Sequence, residues 1–252
     1  MARQRERYER TDDPTPSHRR NVISLVVAIV VFVAFFLGIS HAWSRADSYS
    51  GFNESNLENA IDNQPAAATF AGTAASPDTI VTVLVLTTSQ DKATLESASI
   101  IAIDETTGTS AVAAVPADLL VTTDAGTATL AVVYSESGGA ACVVPASSTL
   151  GISFTHVFVA QESFWEAFAG YSAAGDAADG AYGTQVRQAI SSDISNRLID
   201  GFLQEMVSSG VEAAVAAPVS YPVNTTDGGD AGSVSSVDAT QLSLALGLVV
   251  AA

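Results

Sequence analysis

The segment Thr79–Thr88 (TIVTVLVLTT) has a β-branched or aliphatic residue at every position. A short continuous run of this kind is typical of a strand that is buried on both faces of a sheet. The segment Ser97–Val121 (SASIIAIDETTGTSAVAAVPADLLV) contains two more such runs, on either side of a tight turn at Thr107-Gly108. Together these three strands predict a sheet.

Shorter patterns downstream predict further strands and helices. ATLAVVYS predicts a short strand or a helix, and FTHVFVAQ alternates as a strand does. ESFWEAFAGY predicts a short helix that ends at Gly170. The last apolar segment, ATQLSLALGLVVAA, predicts a helix with Asp238 as its N-cap.

The segment Thr184–Ser209 predicts one long amphipathic helix, because apolar residues recur in it at intervals of four. The segment Tyr221–Ser236 (YPVNTTDGGDAGSVSS) has the composition of a loop. Strands mixed with helices favour the α/β class over a sandwich or a helical bundle. We therefore expect a layered α-β-α domain with a central mixed sheet. The apolar residues of the long helix are Val186, Ile190, Ile194, Leu198 and Phe202.

The amino-terminal region contains an uncharged segment, Val22–Ile39 (VISLVVAIVVFVAFFLGI). As a helix it would be about 27 Å long, close to the hydrocarbon thickness of a bilayer. A cleaved signal peptide, with Ser40-His41-Ala42 as its cleavage site, is the alternative. The segment is longer than the roughly 7–15 apolar residues of a signal peptide, which favours a retained transmembrane helix within residues 21–43.

The distribution of charge predicts the topology. Six arginines lie in residues 1–20, so this basic tail is expected in the cytoplasm and the rest of the chain outside it. Residues 44–78 have the composition of a stalk, and residues 79–252 are expected to form the domain. The chain has a net charge of −17, and only three of its Lys and Arg residues follow Ala46. A domain this acidic repels phosphate backbones, so nucleic acid is excluded as its partner.

Few residues of the domain suggest a site by themselves. Cys142 is the only cysteine, so the chain can form neither an intrachain disulfide nor a thiolate metal cluster, and we expect this thiol to be buried. His156 has no His or Cys cluster around it in the sequence and is expected to be structural. Phe164, Trp165 and Phe168 are expected to anchor a helix to the core.

Three blocks of the sequence resemble the extracytoplasmic domain of the LytR-CpsA-Psr family over roughly residues 79–252. They are the strand VTVLVL, the hairpin ASIIAIDETTGTSAVAAVPADLLV and the later segment LGISFTHVFVAQESFWEAFAG. Members of this family are single-pass proteins that transfer a glycopolymer from a polyprenyl pyrophosphate to the cell wall, so the resemblance implies this topology and this activity. It also implies arginines that bind the pyrophosphate, because a planar guanidinium forms paired hydrogen bonds with phosphate oxygens. It further implies acidic residues that hold Mg²⁺, a hard cation that prefers oxygen ligands.

The chain departs from the family pattern at its arginines. Ala117 stands in the family's Pro-Arg-Asp corner, Thr94 begins the family's Arg-x-Asp-Thr segment, and Thr184 begins its Arg-x-x-Arg segment. After the first strand, Thr87-Thr88-Ser89 replaces the family's glycine and aspartate. Arg187 is the arginine that the resemblance retains.

The residues that remain define a candidate site. Arg187 and Lys92 are candidates for phosphate binding, and Asp118 and Glu96 are candidates for a Mg²⁺ site. The alternatives are that Asp118 is a turn or cap residue and that Arg187 pairs with a carboxylate.

Three functions follow as hypotheses. The first is a membrane-anchored, noncatalytic protein of cell-envelope assembly that binds a polyprenyl lipid or a cell-wall assembly protein. The second is an active Mg²⁺-dependent phosphotransferase of the same family type. The third is an unrelated extracytoplasmic sensor or interaction domain.

Overall fold

The computed structural model describes residues 54–175, 181–195, 197–228 and 232–252. These residues belong to one compact unit. Within these ranges no helix has the length and apolar character to cross a membrane. The transmembrane helix expected at residues 21–43 and the tail at residues 1–20 lie outside the described residues.

A five-stranded mixed sheet forms the centre of the domain, which confirms the predicted α/β class and central mixed sheet. The strand order is β4-β3-β2-β7-β8. Strands β3, β2 and β4 form antiparallel pairs, β2 and β7 are parallel, and β7 and β8 are antiparallel. The turn at Thr107-Gly108 joins β3 to β4 as predicted, with Gly108 at a φ of 68°. The bounds of these strands are β2 Ile80–Thr88, β3 Leu95–Asp104, β4 Thr109–Val115, β7 His156–Gln161 and β8 Ile190–Ser192.

Alternate residues of the central strand β2 enter two separate cores. Leu84 and Leu86 belong to one core, and Val83 and Val85 to the other, and all four are fully buried. Successive side chains of a strand point to opposite faces, so a strand that is apolar at every position needs a cover on each side. Helices supply both covers, which gives three layers.

One core lies under α1, α2, α3 and α8, and the other under α4, α5, α6 and α7. The first four span α1 Glu54–Asp62, α2 Leu130–Ser137, α3 Gly139–Leu150 and α8 Ala239–Ala245. The others span α4 Phe164–Ala174, α5 Ala181–Ala189, α6 Ile199–Ser208 and α7 Val211–Ala216. The described residues also form three small two-stranded sheets: β1 Thr73–Ala75 with β11 Val249–Ala251, β5 Leu120–Thr123 with β6 Gly126–Thr129, and β9 Val223–Asp227 with β10 Ser233–Val237.

Residues 54–78, the described part of the segment expected to be a stalk, pack on the domain. Leu57 of α1 is fully buried in the core beneath α3. The side-chain amide of Gln64 donates to the carbonyl of Phe154 at 2.6 Å, and its oxygen accepts from the Phe154 amide at 2.7 Å. Strand β1 then pairs with β11 at the carboxyl end of the chain.

The prediction of one long helix over Thr184–Ser209 is wrong, because the chain there is divided into α5, β8 and α6. Ile190 pairs with Ala160 of β7 and so adds a strand to the sheet. The carboxylate of Asp193 accepts from the Val157 amide at 2.7 Å, and the Ser192 hydroxyl accepts from the Ile194 amide at 2.9 Å. Short polar side chains that bond the backbone in this way compete with a helix.

Other elements also differ from their sequence patterns. The segment expected to be a loop, Tyr221–Ser236, contains the β9–β10 hairpin, whose first strand is exposed along its length and so has no apolar alternation to indicate it. Helix α4 continues past Gly170 to Ala174, because Tyr171 is buried against Phe168 in the same core.

The two remaining sequence predictions in this region have different outcomes. Asp238 is the N-cap of α8 as predicted, since its carboxylate accepts from the Gln241 amide at 3.0 Å. The helix ends at Ala245, and the chain then forms β11. Cys142 is fully buried, as expected.

Gly139 lies where α3 approaches the sheet closely, so we expect Gly139→Ala to destabilise the domain. An added Cβ would lie 2.5 Å from Cγ2 of Val159. Overpacking of this kind costs about 1–3 kcal/mol. The matched control is Gly201→Ala in α6, where nothing lies within 4 Å and a small gain of about 0.4–1 kcal/mol is expected. Urea unfolding measures both, and equal stability of the two variants would contradict the packing seen here.

Burial raises the pKa of Cys142 to about 12, so we expect its thiol to be inert in the native protein. Because the folded pKa is raised, the thiol's contribution to stability is complete below its unfolded pKa of about 8.5 and is lost as the pH rises toward 12. A thiol reagent at pH 8 should label unfolded protein quickly and native protein only as fast as the domain opens. Labelling of native protein at the unfolded rate would contradict the burial.

Candidate functional site

The carboxyl ends of the two parallel central strands define one end of the sheet. Thr88 of β2 lies beside Gln161 of β7, and Ile190 at the start of β8 lies beside Ala160. Antiparallel pairing brings the start of β3 and the end of β4 to the same end, since Ala98 lies opposite Val115. In open α/β sheets, ligands bind beyond the carboxyl ends of the strands. At this end, Lys92 follows β2, Glu96 is the second residue of β3, Asp118 follows β4 and Arg187 precedes β8.

The loop from β2 to β3 is organised by hydroxyl groups between two carboxylates. Ser89 donates to Asp91 at 2.6 Å, and Thr94 donates to Glu96 at 2.9 Å. The Thr94 hydroxyl oxygen also lies 3.0 Å from that of Ser89. The hydrogen bond from Ser89, followed by that from the Ala93 amide, lowers the pKa of Asp91. Glu96 therefore has a hydroxyl donor from Thr94, at the position where the family resemblance implies an arginine.

Lys92 lies at the tip of this loop with a φ of 61°, in the left-handed region. The Tyr134 hydroxyl donates to its carbonyl at 3.3 Å, which ties the loop to α2. Partial burial lowers the pKa of the Lys92 ammonium, because desolvation disfavours its charged form. This position keeps Lys92 at the carboxyl end of β2.

Asp118 is held by the β9–β10 hairpin. The Ser233 hydroxyl donates to its carboxylate, and the Ser235 amide donates to its carbonyl at 2.9 Å. The preceding residues form a tight corner, with the Leu119 amide donating to the carbonyl of Pro116 at 3.1 Å. These contacts are those of a corner residue that joins the sheet to the hairpin.

Arg187 forms an ion pair with Asp200 across α5 and α6. Its Nη1 donates to Oδ1 of Asp200 at 2.6 Å, and both side chains are partly exposed. The pair matches the alternative in which Arg187 binds a carboxylate of its own domain. A pyrophosphate at this guanidinium would have to compete with Asp200.

The predicted Mg²⁺ ligands do not belong to a larger ligand group. Within residues 54–175, 181–195, 197–228 and 232–252, no group of three or more His, Cys, Asp and Glu side chains could hold a metal ion. Mg²⁺ prefers six oxygen ligands and often keeps several waters, so two carboxylates alone do not make a preformed site. The carboxylates of Asp118 and Glu96 also accept hydrogen bonds from Ser233 and Thr94. This donor set does not fit a resident metal ion, and Mg²⁺ binding there stays a prediction.

His156 lies at the opposite, amino end of β7 and forms a side-chain hydrogen bond with Asp193. Its Nδ1 lies 2.7 Å from Oδ2 of Asp193, whose second oxygen accepts from the Val157 amide. The imidazole also packs edge-on against the Phe202 ring, with 5.0 Å between ring centroids. These contacts join β7 to the chain after β8 and suit the structural role expected for this histidine.

Three residues at or near the candidate residues were not anticipated from the sequence. Asp91 organises the loop, Asp200 pairs with Arg187, and Ser233 binds Asp118. Asp91 follows Ser89 by two residues, a spacing typical of polar turns that could have indicated its role. Asp200 and Ser233 are distant in sequence from their partners, and no local pattern indicates them.

No protein-family model and no curated protein sequence matches the chain. Among solved structures, TagT bound to LI-WTA superposes with a TM-score of 0.50 at 11% identity, over 71% of this chain and 99% of TagT. Bacillus subtilis TagV gives a TM-score of 0.47 at 12% identity, over 67% of this chain and 94% of TagV.

A third match gives the family name of TagT. It is the LytR-CPS2A-psr family protein YwtF (TagT) with bound octaprenyl pyrophosphate lipid, with a TM-score of 0.48 at 11% identity, over 71% of this chain and 94% of that one. At such low identity, the first superposition shows a shared fold and nothing finer. The domain described here has a LytR-CpsA-Psr-like fold.

Proposed function

We propose that this chain is a membrane-anchored, extracytoplasmic protein of cell-envelope assembly that has the LytR-CpsA-Psr fold without phosphotransferase catalysis. It acts by binding a polyprenyl lipid or a cell-wall assembly protein. The fold likeness to TagT supports this proposal over an unrelated sensor domain. The apolar segment at residues 21–43 and the arginines before it support the anchor and its orientation.

The single observation that carries the noncatalytic part is the scarcity of positive charge in the described ranges, where the Lys and Arg residues are Lys92, Arg187 and Arg197 and where Arg187 pairs with Asp200 at 2.6 Å. Arg187 is the arginine that the family resemblance retains, and the pair directs its Nη1 to a carboxylate of its own domain. Phosphoryl transfer relies mainly on positioning and on neutralising charge, so a site with this little positive charge is poorly equipped for it.

The energies of these interactions show whether the Asp200 ion pair or the absence of arginines weakens pyrophosphate binding more. A partly exposed ion pair contributes about 0.2–1 kcal/mol, so Asp200 alone is a weak competitor for the guanidinium. Each hydrogen bond to a charged group contributes about 1.5–3 kcal/mol. Thr94, Ala117 and Thr184 in place of arginines therefore lower the affinity of the site for pyrophosphate far more than competition from Asp200 does.

The second candidate function is a divergent glycopolymer phosphotransferase. The observation in its favour is that all four candidate residues lie at or next to strand ends at the same end of the sheet. They are Lys92, Glu96, Asp118 and Arg187. In this function Arg187 and Lys92 would bind the pyrophosphate, and Asp118 and Glu96 would hold Mg²⁺. Such a metal ion would neutralise charge that develops on the transferred phosphate.

The ion pair predicts how variants change pyrophosphate binding. Phosphorus NMR of geranyl pyrophosphate, a short soluble probe, measures weak binding to the full chain. We expect binding in the millimolar range or weaker, with no requirement for Mg²⁺. Asp200→Asn should tighten it about two- to fivefold by releasing Arg187. Glu205→Gln is the matched control, because it removes one negative charge from the same helix α6 and should leave binding unchanged.

Micromolar binding that requires both Mg²⁺ and Arg187 would contradict the noncatalytic proposal. Binding that Asp200→Asn and Glu205→Gln tighten equally would show that net charge, and not the ion pair, controls the anion.

Turnover distinguishes the two candidate functions directly. We expect the full chain to release no product from a polyprenyl pyrophosphate-linked glycopolymer in the presence of Mg²⁺, and Asp118→Ala to change nothing. Chromatography of the lipid product checks this, with TagT as the positive control for substrate quality. Turnover that is lost in Asp118→Ala, while Asp124→Ala keeps it, would establish the second candidate function.

A further inference from the structure

A groove of about 750 Å³ lies between the β5–β6 hairpin and the helices α2 and α3. Half of the residues that line it are alanine, valine or proline. Val132 of α2 is 42% exposed there, and Val144 of α3 is half-buried. Single exposed apolar side chains are common on protein surfaces, whereas several in one groove are typical of a surface that another molecule contacts.

The charged side chains in this lining are both acidic. Asp124 lies in the turn between β5 and β6, Glu136 lies in the last turn of α2, and both are exposed. Within the described ranges neither carboxylate forms an ion pair. Glu136 also lies near the negative end of its helix dipole, where a carboxylate is unfavourable and a bound cation would offset it.

The backbone around the groove offers further hydrogen-bonding groups. Pro145 lies inside α3 and has no N–H, so the Ala141 carbonyl lacks its usual helical donor, and both residues line the groove. Thr127 and Ala128 of β6 also line it. Among the described strands β6 pairs with β5 alone, so its second edge has no strand partner. An extended segment can pair with such an edge through its own backbone.

These features select the chemistry of the molecule that would occupy the groove. Lys and Arg side chains carry several donors and no acceptor, which suits two carboxylates and the Ala141 carbonyl. Their apolar stems can pack on Val132 and Val144 while the charged end stays in water. An acidic segment would instead meet charge of its own sign, and a second copy of this acidic domain would do the same.

We propose that this groove binds an extended, cationic segment of a partner protein. The basic tail of the chain itself, residues 1–20, is expected on the other side of the membrane, and this exclusion alone rests on the proposed function. The residues considered for pyrophosphate and Mg²⁺ do not line the groove, so the two kinds of binding can fail independently. Those residues are Lys92, Glu96, Asp118 and Arg187.

Fluorescence anisotropy of labelled peptides, with the full chain in a nonionic detergent, tests the proposal. The probe is a capped peptide of alternating Lys and Val, which lie on opposite faces when the peptide is extended. Its counterparts carry Gln or Glu in place of Lys. At an ionic strength of about 0.15 M, attraction to distant surface charge is largely screened. We expect the Lys peptide to bind in the millimolar range or tighter, the Gln peptide more weakly and the Glu peptide least.

A positive charge placed in the groove should block the cationic peptide. We expect Val132→Lys to weaken its binding at least about fivefold. Val250→Lys in β11 is the matched control, because Val250 is 43% exposed and does not line the groove. The control adds the same charge and should change the affinity less than about twofold. Equal effects of the two variants, with both folded, would overturn the proposal.

Removal of a negative charge tests the same point from the other side. Glu136→Gln should weaken binding of the Lys peptide about two- to fivefold. Glu166→Gln in α4, an exposed glutamate outside the groove, should leave binding unchanged. Equal losses in these two variants would show that net charge controls the peptide and would overturn the proposal. Absence of binding by the Lys peptide, or equally tight binding of the Glu peptide, would also overturn it.

Discussion

The burial of β2 on both faces is the constraint on which the rest of the domain depends. Its residues Val83–Leu86 are fully buried and alternate between two cores, so helices must cover the sheet on both sides. The parallel pairing with β7 requires a crossover connection, and α2 and α3 lie within it. The same pairing brings the carboxyl ends of β2 and β7 together, and this end holds the candidate residues.

Patterns that reflect the core were predictable from the sequence. The continuous apolar run of β2, the hairpin around Gly108 and the N-cap at Asp238 all appear in the structure as predicted. Periodicity misled where apolar spacing and local polar chemistry disagreed. Ile190 and Ile194 fit a helical stripe, but Ser192 and Asp193 bond backbone amides there and help to divide the helix.

The candidate site was predictable only in part, because its contacts are distant in sequence. The resemblance indicated Arg187 and the corner at Asp118, and both lie next to strand ends at the same end of the sheet. The partners Asp200 and Ser233 could not be predicted, since each depends on how separate elements pack. These partners bear on the proposed function, because Asp200 and Ser233 bond the groups that would bind a pyrophosphate or a metal ion in it.

We propose that the chain keeps the frame of a LytR-CpsA-Psr domain and has lost the positive charge that would bind pyrophosphate. Restoring that charge is the most direct test: the affinity of the Ala117→Arg, Thr184→Arg double variant for geranyl pyrophosphate, with Ala117→Gln, Thr184→Gln as the neutral control. We expect a gain of at least about tenfold over the control, since one hydrogen bond to a charged group contributes about 1.5–3 kcal/mol. Equal affinity of the two double variants, with both folded, would mean that arginines at these positions do not reach a common site, and the proposal would be wrong.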